Sequence, residues 1–359
     1  MINLYSLTYE KLQDLLDDWN EPSFRAKQVW EWLYTQRVAS FEEMKNLPKP
    51  LREHLEAETQ LGSLELVTEQ VSKKDGTRKR LYRLPDGQLI ESVLMPYDDD
   101  RRTACISTQA GCAMGCIFCA TGQMGFARHL TPTEIFEQAM RFARELEQEG
   151  ERLSNVVFMG MGEPFHNYDA TLVAARRLMD DLGIGARHIT ISTVGLVPQI
   201  IRFADEGLQI TLAISLHKAS DAERSELMPI NRKWSVGELI ESCRYYVAKT
   251  GRRITFEWAA IAGENDTPEE AHKLGKLLNG LMCHVNIIPL NPTGEFSGRP
   301  ANQDAIRRFI EILAQYSVTA TVRMRRGIDI NAGCGQLKAA VLRPLQRGVS
   351  IADPETDIP

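Results

Sequence analysis

From about residue 104 onward, short apolar runs alternate with longer segments of helical period, and this constrains the fold of the 359-residue chain more than any other feature. The runs fall at 104–107, 156–159, 189–192, 212–216, 254–258, 285–288 and 319–322. Parallel strands need long crossovers, so strands separated by helices imply βαβ units and a parallel sheet. Six or seven such units predict an α/β fold with a full or partial (β/α) barrel, with a doubly wound open sheet as the competing arrangement. Upstream, Leu12, Leu15, Leu16 and Trp19 share one stripe, and Ala26, Val29, Trp30 and Leu33 share a second. Phe41, Met44 and Leu47 continue the helical period. Between 61 and 97 the period changes, and Asp75-Gly76 and Asp86-Gly87 sit between β-type runs, a hairpin signal. The expected division is a helical module at 1–60, a β meander at 61–97, a barrel core at 98–345 and a loose tail at 346–359.

The tally of charges is −6, so bulk attraction to nucleic acid is excluded and any RNA contact needs a local basic patch. Two runs qualify. Lys73, Lys74, Arg78, Lys79, Arg80 and Arg83 surround the Asp75-Gly76 turn, and Arg323, Arg325 and Arg326 precede a cysteine at 334. No apolar run approaches the roughly 18 residues of a membrane span. The start of the chain carries Glu10, Asp14, Asp17 and Asp18, the wrong charge for a targeting peptide, so a cytoplasmic protein is expected. Seven cysteines, an odd number in a long chain, argue against a disulfide scaffold.

Three of those cysteines, Cys112, Cys116 and Cys119, form C-x3-C-x2-C after the first barrel-type strand. Thr131-Pro132-Thr133-Glu134 then opens a helix with a capping box. Two metal centres fit three thiolates in eight residues. One is a structural zinc site with His129 as fourth ligand, which would leave a non-catalytic, zinc-stabilised RNA-binding protein. The other is a 4Fe–4S cluster with one iron left open.

Further motifs lie at or after predicted strand ends, which converge on one face of a (β/α) barrel. They are Phe158-Met159-Gly160-Met161-Gly162-Glu163-Pro164, Ser192-Thr193-Val194-Gly195, Ser215-Leu216-His217, Met228-Pro229-Ile230-Asn231, Ile288-Pro289-Leu290-Asn291-Pro292 and Cys334-Gly335-Gln336-Leu337. Taken singly, the glycines read as a tight strand-to-helix turn or as a close approach of backbone to ligand, and His217 reads as a hydrogen-bonded core histidine. Together with the cysteine spacing, the ordered set resembles the RlmN/Cfr family of radical S-adenosylmethionine RNA adenosine methyltransferases, from about residue 20 to 340.

The resemblance implies a 4Fe–4S cluster on Cys112, Cys116 and Cys119. It also implies S-adenosylmethionine held by Gly162, Glu163, Ser192, Ser215, Leu216, His217 and Asn291. An adenine ring carbon such as carbon 2 is electron-poor and cannot displace a sulfonium methyl group directly. The family route therefore implies that Cys334 first accepts a methyl group. A radical derived from a second S-adenosylmethionine then removes a hydrogen atom from that methyl group, and the methylene carbon adds to the ring. Glu91 matches the family's proton acceptor, across a one-residue insertion in 98–102. On residue type alone it reads as a solvent-facing strand carboxylate. Cys105 is implied to attack the Cys334 sulfur, releasing product and leaving a transient disulfide. Cys243 and Cys283 read as buried structural thiols. The implied substrate is an adenosine of 23S ribosomal RNA at carbon 2, with transfer RNA as a second substrate and carbon 8, the Cfr-type reaction, as the alternative. A low-potential donor such as flavodoxin or ferredoxin and a monomeric, membrane-free enzyme are further expectations. The helical module resembles the family's accessory RNA-binding region. Before the key cysteine the chain has Asn331-Ala332-Gly333 where the family usually has Asp-Ala-Ala.

Overall fold

The computed structural model describes residues 1–338. The N-terminal sequence forms helices α1 (Tyr9–Asp18), α2 (Phe24–Tyr34) and α3 (Lys49–Glu58). The meander is β1 (Glu65–Val71), β2 (Arg78–Arg83) and β3 (Leu89–Pro96). Seven more strands follow: β4 (Arg102–Cys105), β5 (Asn155–Phe158), β6 (Ile189–Thr193), β7 (Thr211–Ser215), β8 (Ile254–Ala260), β9 (Cys283–Pro289) and β10 (Thr319–Val322). Helices α4 (Pro132–Gln148), α5 (Tyr168–Asp180), α6 (Val197–Asp205), α7 (Val236–Thr250), α8 (Pro268–Leu278) and α9 (Gln303–Ala314) lie between them.

All ten strands belong to one sheet, in the unbroken order β10 to β1. Pairing from β4 to β10 is parallel, and β1 to β4 are antiparallel. A doubly wound sheet would reverse its strand order partway. Sequential order is instead that of an open (β/α) barrel, with the meander extending its β4 edge. The first barrel strand ends at Cys105, two residues short of the expected 107. Beyond Cys105 the chain leaves the ladder, and Gln109–Gly111 pairs with Phe126–His129 as a separate small hairpin.

The capping box forms as expected, with the Thr131 hydroxyl accepting from Glu134 N–H and the Glu134 carboxylate accepting from Thr131 N–H. α4 joins all three parts of the molecule. Phe136 meets the rings of Tyr5 and Tyr34 from the helical module. Buried Glu137 accepts from Ser63 and Leu64 N–H at the start of the meander. The expected positive patch on the meander is largely neutralised. Arg78 and Arg80 pair with Glu145 of α4, Arg78 also with Glu149, Arg83 with Glu65, and Lys79 with Glu91. Arg80 lies over the Phe142 ring at 4.7 Å, a packing role. Sequence could not show the pairs of Arg78 and Arg80 with Glu145 and Glu149, because those carboxylates lie more than 60 residues away. The expected loose tail at 346–359, and the last residues assigned to the barrel core, lie outside the described residues. No helix among those described is long and apolar enough to cross a membrane.

Candidate active site

The C-terminal ends of the barrel strands surround a cavity of about 160 Å³. Cys112, Cys116 and Cys119 line one side of it. Their loop is the connection of the small hairpin, closed at its base by Cys112 N–H donating to Gly125 O at 2.8 Å. Burial pushes the Cys112 thiol up to about 12 and raises those of Cys116 and Cys119 as well. Such buried thiols become thiolates only where a cationic centre stabilises them. A single zinc needs four donors at 2.0–2.3 Å from one centre, whereas a cube takes each thiolate on a different iron. His129 is exposed, outside the cavity, and hydrogen-bonded at Nδ1 to Gln109. The zinc arrangement thus loses its fourth ligand, and the donor set fits an iron–sulfur cube with one iron free.

Six of the seven residues expected to hold S-adenosylmethionine line this cavity: Gly162, Glu163, Ser192, Ser215, His217 and Asn291. Leu216 does not. It is fully buried, and its N–H donates to Glu257 O. Glu163 is 2% exposed and accepts from Phe165 and Val194 N–H, and burial pushes its carboxyl up to about 7. A buried carboxylate facing a cavity suits an ammonium ligand. The buried Asn291 Oδ1 has no partner among the described residues, an acceptor left for a ligand. His217 is neutral: burial, with Arg224 assisting, lowers it to about 3, and its Nδ1 accepts from Ala259 N–H at 2.9 Å. It is both the hydrogen-bonded histidine that residue type suggests and a wall of the cavity. The requirement for Gly162 is internal. Its φ is +101°, and a Cβ there would stand 2.5 Å from Cβ of Gln109. The glycine thus meets a protein neighbour rather than opening space for a ligand.

Cys334 lines the first cavity and also a second one of about 30 Å³, which Cys105 lines with it. Cys105 is buried at the end of β4, and burial pushes its thiol up to about 12. The glycine-flanked Cys334 loop is tied down by hydrogen bonds. Asn291 Nδ2 donates to Cys334 O at 3.0 Å, Ala120 N–H to Gly335 O at 2.7 Å, and Thr121 Oγ1 to Leu337 O at 2.7 Å. The departure at Gly333 has a local counterpart, because a Cβ there would stand 2.7 Å from Asn291 Nδ2. Cys243 and Cys283 are buried and line neither cavity.

Glu91 overturns the solvent-facing reading of its residue type. It is 2% exposed, accepts from Lys338 N–H at 2.8 Å and lies 3.3 Å from Lys79 Nζ. Burial raises its carboxyl, with Lys79 opposing. It lines neither cavity, but it sits on β3 two residues from Val93, which pairs with Cys105, so the three share one face of the sheet. Sequence reasoning missed two further groups. Glu257 is buried in the first cavity beside Asn286, 3.8 Å from Arg323, which lines both cavities. Arg224 is buried and donates to Leu216 O, Val194 O, Ser215 O and Asn231 Oδ1, fixing the loops after β6 and β7. Its place in Met228-Pro229-Ile230-Asn231's neighbourhood was the available signal.

The chain is similar to known proteins along nearly its whole length. The family model described as "Ribosomal RNA large subunit methyltransferase N-terminal domain" matches residues 2–61, and "Radical SAM superfamily" matches residues 106–275. The dual-specificity RNA methyltransferase RlmN 1 of Myxococcus xanthus (strain DK1622) is 52% identical over 349 residues, covering 97% of each chain. The probable dual-specificity RNA methyltransferase RlmN of Clostridium perfringens (strain 13 / Type A) is 45% identical, covering 96% of this chain and 98% of its own. A solved radical SAM methyltransferase from Sphaerobacter thermophilus superposes with a TM-score of 0.89 at 48% identity, over 94% of this chain and 99% of that one.

Proposed function

This chain belongs to the RlmN family of radical S-adenosylmethionine RNA methyltransferases, and from that premise we propose that it methylates carbon 2 of an adenosine in 23S ribosomal RNA. Transfer RNA is the second substrate, in keeping with relatives named as dual-specificity enzymes. We assign Cys112, Cys116 and Cys119 as cluster ligands and Gly162, Glu163, Ser192, Ser215, His217 and Asn291 as the cofactor's walls. Those residues would hold a 4Fe–4S cluster and S-adenosylmethionine, which would supply a 5′-deoxyadenosyl radical on receiving an electron from a low-potential donor such as flavodoxin or ferredoxin.

The chain's own residues do the rest. The Cys334 thiolate takes a methyl group by displacement, then gives up a hydrogen atom from it, and the resulting carbon bonds to adenine carbon 2. Glu91 accepts the ring proton, its raised carboxyl bringing it nearer the working range of a base. The odd electron left on the adduct would return to the cluster, and Cys105, as its thiolate, then attacks the Cys334 sulfur, breaking its bond to the transferred carbon, which takes a proton to become the methyl group, and forming a disulfide. The observation that carries this reading is that Cys105 and Cys334 line one cavity, while Cys334 also lines the cavity of the three-cysteine loop. Anaerobic incubation with ribosomal RNA lacking the modification, followed by nucleoside digestion and mass spectrometry, should yield 2-methyladenosine. A methylated adenosine that co-elutes with the carbon 8 isomer would shift the assignment to the Cfr-type reaction.

A further inference from the structure

The chain after β10 forms one wall of the second cavity through Met324, Arg325 and Arg326. Arg326 is 9% exposed, yet among the described residues its buried Nε–H has no acceptor. Its Nη2 faces Met324 Sδ at 3.5 Å, a weak acceptor, and the carboxylate of Asp98 at 3.9 Å. The Asp98 side chain is 97% exposed, so water screens that pair. The arginines of the meander, by contrast, have close carboxylates. A buried guanidinium with a free donor, in the wall of a cavity, is the protein half of an anion site.

The group is also held in place. Its guanidinium lies over the Tyr97 ring at 4.6 Å, with that of Arg101 over the same ring at 4.4 Å. The chain beside it is fixed relative to Cys334. Gly327 N–H donates to Asp75 Oδ2 at 2.9 Å, and Ala332 N–H donates to Gly327 O at 2.8 Å. We propose that Arg326 binds a backbone phosphate of the RNA beside the nucleotide presented to Cys105 and Cys334, taking it between Nε–H and an Nη–H. This rests on the RNA-methylating reading above and adds a residue that sets the substrate's register. A phosphate contact positions without reading sequence, which suits an enzyme acting on two classes of RNA. The planar fork supplies two parallel donors, which lysine cannot.

The test is a transfer-RNA-derived hairpin carrying one neutral methylphosphonate at each loop linkage in turn. Its binding to wild-type enzyme, Arg326→Gln and Arg326→Lys is read by fluorescence anisotropy. Wild type should weaken about tenfold at one linkage, and Arg326→Gln should lose less than about twofold further there. On unmodified RNA, Arg326→Gln should bind about tenfold more weakly, with a salt-dependence slope reduced by about one. Arg326→Lys should keep the slope but lose affinity, and it carries the test if the Gln variant does not fold. Equal sensitivity of wild type and both variants at every linkage would overturn the assignment while leaving methylation intact. Failure of wild type to bind or methylate both the hairpin and ribosomal RNA lacking the modification would instead remove the RNA reading itself, and this proposal with it.

Discussion

Cys105→Ala should accumulate a covalent link between the enzyme and its RNA, whereas Cys334→Ala should form none. The expected difference is close to all-or-none, because the proposed mechanism puts the two thiols at opposite ends of one sequence of steps. Cys334 must carry the methyl group before RNA is touched, so its loss leaves neither methylated cysteine nor adduct. Cys105 is needed only to break the bond between the Cys334 sulfur and the RNA-bound carbon, so without it turnover stops after one addition. The geometry supports these roles. Cys334 reaches both cavities, while Cys105 reaches only the second and is buried, its thiol pushed up to about 12. A thiol so placed reacts slowly with reagents from outside and needs its partner sulfur delivered beside it. Denaturing gels of both variants purified from cells should show a slow, ribonuclease-sensitive band in Cys105→Ala alone. Near-normal activity in both variants would make them ordinary buried thiols, and a band in Cys334→Ala would reverse their roles.

The second large effect is on iron. Anaerobic reconstitution should give about four iron and four sulfide per chain, with a brown colour. Replacing Cys112, Cys116 or Cys119 by Ala should bring iron well below one per chain and abolish reductive cleavage of S-adenosylmethionine. Each thiol sits in a loop closed at its base by backbone hydrogen bonding, and no other Cys lies in that loop to replace a lost one. Full iron in all three variants would place the cluster elsewhere or remove it.

What could be read from sequence followed physical scale. The alternation of periods after residue 104 is a local signal repeated seven times, and the sequential parallel sheet follows it strand by strand. The cysteine loop and the cavity-lining Ser192, Ser215 and Asn291 were legible because barrel topology brings strand ends together whatever the side chains do. Long-range pairing was not legible. Glu91 looked like a surface carboxylate because its partner Lys338 lies 247 positions away. The basic run at 73–83 looked like an RNA patch because Glu145 of α4 and Glu149, just past its end, arrive from far along the chain. Arg326 stood in the other run with nothing to distinguish it from Arg325. Both line Cys105's cavity, and only the fold shows Arg326 buried there and Arg325 exposed.

The central claim is that the transferred carbon passes through Cys334, and a single-turnover label experiment tests it most directly. Enzyme is first loaded with deuterated methyl on Cys334, checked by peptide mass spectrometry, and freed of excess cofactor. It is then given RNA, reductant and unlabelled S-adenosylmethionine. The adenosine methylated in the first turnover should carry deuterium from the protein, and unlabelled methyl should appear only in later turnovers. A first-turnover product without deuterium, while the label stays on Cys334, would contradict the account.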